Sequence, residues 1–503
     1  MLNHRILLVI LAALSVSSAP LPAQISRTEY AQRRSALAAR LQDGVILALG
    51  AREPEHDYLA FFQNESFKYL TGYDEPNASL VMVKRGSQVS SMLFVDRRDP
   101  AQEVWSGKRF GPEGATASTG IPARPVDELG DVLDSLFRTT AQLYVVAQGQ
   151  FGARAERTPR VLTRDEQVVR LLTASHASMK VASANQHVQL LRARKSAAEL
   201  DLIRKAAAIT VEAQREAMRA MEPGMNEFEI QALIEYTFRR NGADRPSFAT
   251  IVASGPNSTT LHYNADDRFM NAGEVVVMDV GASYRGYAAD VTRTLPVSGT
   301  FTADQRAIYQ IVRDAQSAAE RQAKVGARAS LMSDSAIAVI ASGLARLGLI
   351  ESPAATYDCG PSQQPQQCSQ VQLYFMHGLG HGIGLEVHDP EQYYFSETIG
   401  PGSAYTIEPG IYVRENLLEI LRKTARNDAL IAKIRPAVER YRNIGIRIED
   451  DYVVTEQGVE WVSRAPREIT EVEAMMRETI AGVAKRDSAK VDWYRRTGGP
   501  RTP

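Results

Sequence analysis

Three of the chain's eight histidines, His377, His381 and His388, fall within twelve residues, separated by glycines and short apolar side chains. A neutral imidazole is the commonest protein metal ligand and carries protons near neutral pH. Glycine lets the backbone approach a ligand closely. By itself the stretch is equally well read as a glycine-rich turn. The rest of the chain has to decide between the two.

Four carboxylates sit on apolar strand patterns. Asp279 ends one apolar run, and Asp290 begins the next eleven positions later, across Gly281-Ala282-Ser283-Tyr284-Arg285-Gly286-Tyr287. Glu408 follows Tyr405-Thr406-Ile407, and Glu449 follows Ile446-Arg447-Ile448. Any one of them alone is an ordinary strand cap or ion-pair partner. Gathered in one place they would repel by several kcal/mol, and divalent cations are the natural compensation. One imidazole with four carboxylates is an oxygen-rich donor set, which favours Mn²⁺ over metals that prefer thiolates. Carboxylates that bridge make room for two ions, with a bridging hydroxide as nucleophile.

The elements that must position these residues divide into two blocks. Residues 27–180 alternate helix and strand patterns: a helical period over Arg27–Leu41, then apolar runs at Val45–Leu49, Leu80–Val83 and Ser91–Val95. That alternation predicts an α/β N-terminal domain. A polar helix over Ala182–Arg194 leads onward. From Ser196 a long amphipathic helix begins, and Asn226 with Glu229 reads as a capping box for the next. Short strands at 250–253, 274–280 and 290–295, helices at 302–323 and 331–347, and strands at 404–408 and 446–449 follow. This blockwise arrangement predicts an α+β second domain. The charge-rich insertion 415–442 reads as a solvated helical hairpin, or alternatively as a lid or subunit contact.

Composition sets the outer bounds. At 503 residues the chain exceeds one ordinary core, and 44% apolar with 23% charged residues is globular usage. A net charge of −1 gives no basic footprint for nucleic acid. Residues 1–23 have the pattern of a secretory signal peptide: Arg5, an apolar run Ile6–Val16, then small residues before Gln24. The expectation is an exported protein, periplasmic or secreted, held at a membrane only if that segment is retained. Cys359 and Cys368 are the only cysteines. They form a short disulfide loop in an oxidising compartment, or else remain free thiols. The tail 486–503 is polar and reads as disordered.

With these residues in order, the chain resembles the pita-bread metallopeptidases, the family of methionine aminopeptidases, prolidases and Xaa-Pro aminopeptidases (aminopeptidase P). The likeness rests on Leu261-His262-Tyr263, Met278-Asp279-Val280-Gly281, Asp290-Val291-Thr292-Arg293-Thr294, His377-Gly378-Leu379-Gly380-His381, Val387-His388-Asp389, Glu408-Pro409-Gly410 and Gly445-Ile446-Arg447-Ile448-Glu449. Phe61-Phe62-Gln63-Asn64, Tyr69-Leu70-Thr71-Gly72-Tyr73 and Arg98-Asp99-Pro100 resemble the aminopeptidase P N-terminal domain, which methionine aminopeptidases lack.

The resemblance implies an α/β domain followed by an α+β pita-bread catalytic domain over 192–480, and an exopeptidase that removes a residue preceding proline. Its metal ligands would be Asp279, Asp290, His381, Glu408 and Glu449. They would hold two divalent ions, Mn²⁺ first and Zn²⁺ or Co²⁺ as alternatives. Glu408 would also shuttle a proton to the leaving amine. His388 and His262 would hydrogen-bond the scissile carbonyl, and His377 would sit by the following proline. Arg447 and Tyr412 would orient carboxylates. A homo-oligomer acting on peptides with proline second is the expected form. Two departures stand out: Gly382 follows the metal histidine where many aminopeptidases P have an aromatic residue, and the insertion separates Glu408 from Glu449. Both leave a prolidase restricted to Xaa-Pro dipeptides as the alternative, with a non-catalytic peptide-binding relative further off.

Overall fold

The computed structural model describes residues 25–56, 59–147, 162–361, 363–364 and 366–478. The leader 1–23 and the tail 486–503 lie outside them. Among the described residues no helix is long and apolar enough to cross a membrane.

The N-terminal half forms one six-stranded mixed sheet. Its strands are β1 (Gly44–Leu49), β2 (Ser79–Arg85), β3 (Gln88–Val95), β4 (Ala123–Pro125), β5 (Gln142–Val146) and β6 (Lys180–Ser183), in the order β4-β3-β2-β1-β5-β6. β1 is buried on both faces because its side chains alternate between two cores. Val45, Leu47 and Leu49 meet Phe94, Leu133 and Leu143. Ile46 and Ala48 face Leu37, Leu70 and Leu200. That second core also contains Ile203, Tyr287, Ile383 and Leu385 of the second domain, so the two halves share apolar packing.

β6 corrects one expectation. The polar helix does not start at Ala182: Lys180–Ser183 pairs in parallel with Gln142–Val145, and the helix runs only from Asn185 to Arg192. Sheet pairing outweighs the weak helical pattern there, so the N-terminal sheet reaches Ser183.

The second half is α+β, as expected. Its strands are β7 (Arg245–Pro246), β8 (Ile251–Ser254), β9 (Val275–Val280), β10 (Ala282–Tyr284), β11 (Tyr287–Ala288), β12 (Val291–Pro296), β13 (Thr356–Cys359), β14 (Gln366–Ser369), β15 (Ala404–Ile407), β16 (Gly410–Val413), β17 (Ile444–Arg447), β18 (Asp450–Thr455) and β19 (Gly458–Trp461). All their pairings are antiparallel, within the small sheets β12-β9-β8, β11-β10-β7, β15-β18-β19, β16-β17 and β13-β14. The helix Ala197–Ala220 starts at the capping box Ser196/Glu199, and Glu227–Arg240 at the predicted box Asn226/Glu229.

The insertion is not a solvated hairpin. It is a turn followed by one helix, Ala425–Tyr441, whose Leu430, Ile434 and Val438 are buried in the main core together with Leu417 and Leu421. The apolar spacing that suggested two exposed helices instead faces the protein interior. Beside it, Cys359 and Cys368 are disulfide-bonded between β13 and β14.

Candidate metal centre

The four acids reach one place because two pairs of strands deliver them. β9 pairs with β12 so that Asp279 lies opposite Thr292, which puts Asp290 just before β12, at the end of the pair where residues 281–290 connect the two strands. β15 pairs with β18 so that Ile407 lies opposite Asp450, which sets Glu408 and Glu449 side by side. The two pairs are stitched together: the Glu449 N–H donates to the Thr292 carbonyl (3.1 Å), and Thr292 Oγ1 donates to Glu449 Oε2 (2.7 Å).

His381 completes the group. Its N–H donates to Thr406 Oγ1 (3.1 Å), which ties it to β15. Its Nδ1 faces the Gly382 carbonyl at 3.1 Å; assigned as the donor there, it leaves Nε2 with a free lone pair. That atom lies 3.4 Å from Asp290 Oδ2, 3.5 Å from Glu408 Oε1 and 3.9 Å from Glu449 Oε1. Burial pushes the imidazole pKa down to about 4, so it is neutral even beside acids. A lone pair facing three carboxylate oxygens is unfavourable unless a cation lies among them.

The acids show the same frustration. Burial, then the Glu449 charge, hold the Asp290 carboxyl well above its ordinary range, and the same two causes raise Glu408. Glu449 is pushed up to about 8 by burial and by Asp279. Asp279 Oδ1, Asp290 Oδ1 and Glu449 Oε1 are buried with no hydrogen-bond partner. Ligand atoms of Asp290, His381 and Glu449 all lie within 4.8 Å of one another. The residues present therefore fit divalent metal, and they fit poorly without it.

The remaining sequence-predicted residues converge here too. Arg447 Nη2 pairs with Asp279 Oδ2 at 2.5 Å, and its Nη1 donates to the Tyr412 hydroxyl at 2.9 Å. That hydroxyl meets His377 Nε2 at 2.8 Å, while His377 Nδ1 faces the Gly378 carbonyl at 2.8 Å. Burial and the Arg447 charge bring the His377 pKa down to about 4. The neutral tautomer thus accepts from Tyr412, fixed by a chain that begins at Asp279. His388 is exposed, with its ring 4.2 Å from that of His381. His262 is exposed as well and lines the same cavity of about 490 Å³, with Phe248, Ile251 and Leu261 on its apolar side. Gly382 leaves no room for a side chain: a Cβ there would lie 2.3 Å from the Asp389 carbonyl oxygen.

Several supporting residues escaped the sequence reading. Gln214, on the helix Ala197–Ala220, donates to the carbonyls of Met278 (3.3 Å) and Val291 (2.8 Å), each adjacent to one of the four clustered acids. Gln316, on the helix Ala303–Gln322, reaches the carbonyls of Ile407 (3.3 Å) and Ile448 (3.4 Å), which precede the other two acids, and Asp450 Oδ2 (2.9 Å). Both glutamines are fully buried. Arg293, equally buried, donates to the Glu449 carbonyl (2.6 Å) and pairs with Asp450 (2.7 Å). For the two glutamines the only sequence signal is a polar residue on an apolar helix face, whereas Arg293 stands within the block Asp290–Thr294 without a role assigned to it.

Comparison with known proteins agrees with this geometry. Residues 201–456 match metallopeptidase family M24, and residues 30–144 match the aminopeptidase P N-terminal domain. The chain belongs to the M24 metallopeptidases. It is 34% identical to an Xaa-Pro aminopeptidase of Escherichia coli, over 90% of this chain and 98% of that one. It is 30% identical to a human Xaa-Pro dipeptidase, over 89% of this chain and 93% of that one. Among solved structures, proline aminopeptidase P II from Yersinia pestis superposes with a TM-score of 0.74 at 30% identity, covering 90% of this chain and 99% of the other. The pita-bread architecture and the preceding α/β domain are thus shared across nearly the whole M24 chain.

Proposed function

We propose that this M24 peptidase hydrolyses the bond between an N-terminal residue and a following proline. The observation that carries the reading is the cluster of Asp290, His381 and Glu449 with its orphaned carboxylate oxygens, inside a chain that is similar over 90% of its length to Xaa-Pro aminopeptidases.

Asp279, Asp290, His381, Glu408 and Glu449 would hold two divalent ions, Mn²⁺ first, with Zn²⁺ or Co²⁺ as alternatives. When bound, such ions polarise a carbonyl and make water a competent nucleophile at neutral pH. The chain's own residues do the rest. Glu408 Oε2, 3.6 Å from His377 Nδ1, takes a proton and passes it to the leaving amine. His388 and His262, which both line the cavity, donate to the scissile carbonyl as it gains negative charge. His377, neutral and held by Tyr412, packs beside the residue after the bond, where proline is expected. Arg447 keeps Asp279 oriented.

The test uses Mn²⁺-loaded protein with an Xaa-Pro dipeptide, a longer Xaa-Pro peptide, and the same longer peptide with alanine for proline. Release of the first residue from both proline substrates alone is expected. Cleavage of the dipeptide alone would replace the reading with a prolidase. Turnover of the alanine peptide at a similar rate would refute proline specificity.

Two further parts of the reading are carried as proposals. Export is supported by the leader pattern and by a disulfide, a bond that persists in oxidising compartments. An intact-mass measurement on the mature protein that still shows residues 1–23 would refute cleavage. Self-association into a homo-oligomer is supported by the exposed apolar side chains Val104 and Trp105. A monomer mass by light scattering would count against it.

A further inference from the structure

The segment between the two domains ends in two cations that are buried against the loop carrying His388. Arg192 closes the linker helix Asn185–Arg192, and Lys195 lies three residues on; each is only 4% exposed. Both point at Asp389, itself 3% exposed and the immediate neighbour of His388. Arg192 Nη2 binds Asp389 Oδ1, and Lys195 Nζ lies 3.1 Å from Asp389 Oδ2. Each carboxylate oxygen therefore has its own cation.

The same two side chains tie down the surrounding loop. Arg192 also bonds Glu386 Oε2 (2.7 Å), and Lys195 Nζ donates to the Pro390 carbonyl (2.6 Å). The Glu386 N–H donates to Asp389 Oδ1 (3.1 Å), and the Asp389 N–H to the Gly382 carbonyl (2.8 Å), one residue past His381. Gly384 is packed so closely that a Cβ would lie 2.5 Å from Asp389 Oδ2 and 3.1 Å from Lys195 Cε. His388, in contrast, has an exposed side chain. Its place 4.2 Å from the His381 ring is set by the backbone on which it stands.

The N-terminal domain takes part in this clamp. Arg192 Nη1 donates to Ser66 Oγ (3.2 Å). Seven residues on, Glu199 pairs with Arg33 (3.1 Å) and accepts from the Tyr287 hydroxyl (2.9 Å). Charges buried this deeply are costly unless their geometry is maintained, and removing one partner strands the other. A clamp of this kind has one well-defined arrangement.

We propose that Arg192 and Lys195 are positioning residues that hold His388 in place through Asp389, so that the seating of the N-terminal domain sets the oxyanion side of the active site. The catalytic part of this inference rests on the peptidase reading above; the mechanical part does not.

The experiment compares Arg192→Met, Asp389→Asn and Arg192→Lys with the full-length wild type, each at measured metal content. Arg192→Met and Asp389→Asn are expected to lower kcat per bound metal by roughly 10–100-fold, with KM changed less than about threefold. Arg192→Lys keeps a cation beside Asp389 and should recover most of that loss. Hydrogen exchange of residues 382–390 should quicken in the first two variants while β9 and β12 stay protected. Unchanged exchange there, unchanged kcat per metal, or a kcat loss that only follows lost metal would each overturn the proposal. Quickened exchange in a protein whose wild type cleaves no Xaa-Pro peptide would support the clamp and refute the substrate reading instead.

Discussion

Breaking the Cys359–Cys368 bond is the perturbation whose size follows most directly from the structure. The two residues are nine positions apart and join the facing strands β13 and β14. Closing a loop of that length removes unfolded-chain entropy worth about 2.7 kcal/mol at 25 °C. That is about a hundredfold in the equilibrium for opening the hairpin. The hairpin in turn seats the insertion helix: the Asp358 N–H donates to Asn427 Oδ1 (2.9 Å), Asn427 Nδ2 returns a bond to the Asp358 carbonyl (3.0 Å), and Thr424 Oγ1 donates to Asp358 Oδ2 (2.6 Å). Asn427 is fully buried, so an open hairpin costs its amide both bonds to Asp358 and leaves only the one from Nδ2 to the Arg422 carbonyl (2.9 Å). Reduction, or the double substitution Cys359→Ser/Cys368→Ser, should therefore lower the urea midpoint and speed hydrogen exchange over 356–369 and 424–430 together. None of the residues lining the metal cavity belongs to this hairpin, so kcat at 25 °C should stay within about twofold. Identical midpoints and identical exchange with and without the bond would refute the entropic argument and the seating of the helix alike.

Two other perturbations separate metal chemistry from fold stability. Asp290→Ala and Glu449→Ala each remove one member of the ligand cluster and should abolish both metal retention, read by elemental analysis after gel filtration, and turnover. Full activity in either would sink the metal-centre assignment. Asp266, buried and raised to about 7 mainly by desolvation, gives a pH signature in stability. Between pH 4 and 7 its native carboxyl keeps a proton that the unfolded chain has lost, so its contribution declines as pH rises through that window and is level above it. The full displacement corresponds to on the order of 4 kcal/mol. Asp266→Asn should therefore be more favourable relative to wild type at pH 8 than at pH 5, in urea midpoints, and a pH-independent difference would exclude the raised pKa.

Much of the site was legible in the chain because its information is local. Asp279, Asp290, Glu408 and Glu449 each stand at an apolar strand pattern, and His381 sits among glycines, so residue type and spacing single them out as candidates, although each by itself reads equally as a strand-end or turn residue. The capping box at Asn226/Glu229 was legible for the same reason, since both partners lie within one turn. The family resemblance then supplied their order.

What the sequence could not express is which distant groups meet. Gln214 reaches Val291 across 77 positions, Gln316 reaches Asp450 across 134, and Arg192 reaches Asp389 across 197. A buried amide or guanidinium has no periodic signature; only the packed fold chooses its partner, and the cost of leaving it unpaired makes that choice definite. The insertion was misread for the same reason. Its apolar spacing shows that a face must be covered, but whether a second helix or the protein core covers it is decided by the tertiary structure. Here the core does so: Leu430, Ile434 and Val438 pack into it, and removal of their apolar surface from water favours that arrangement.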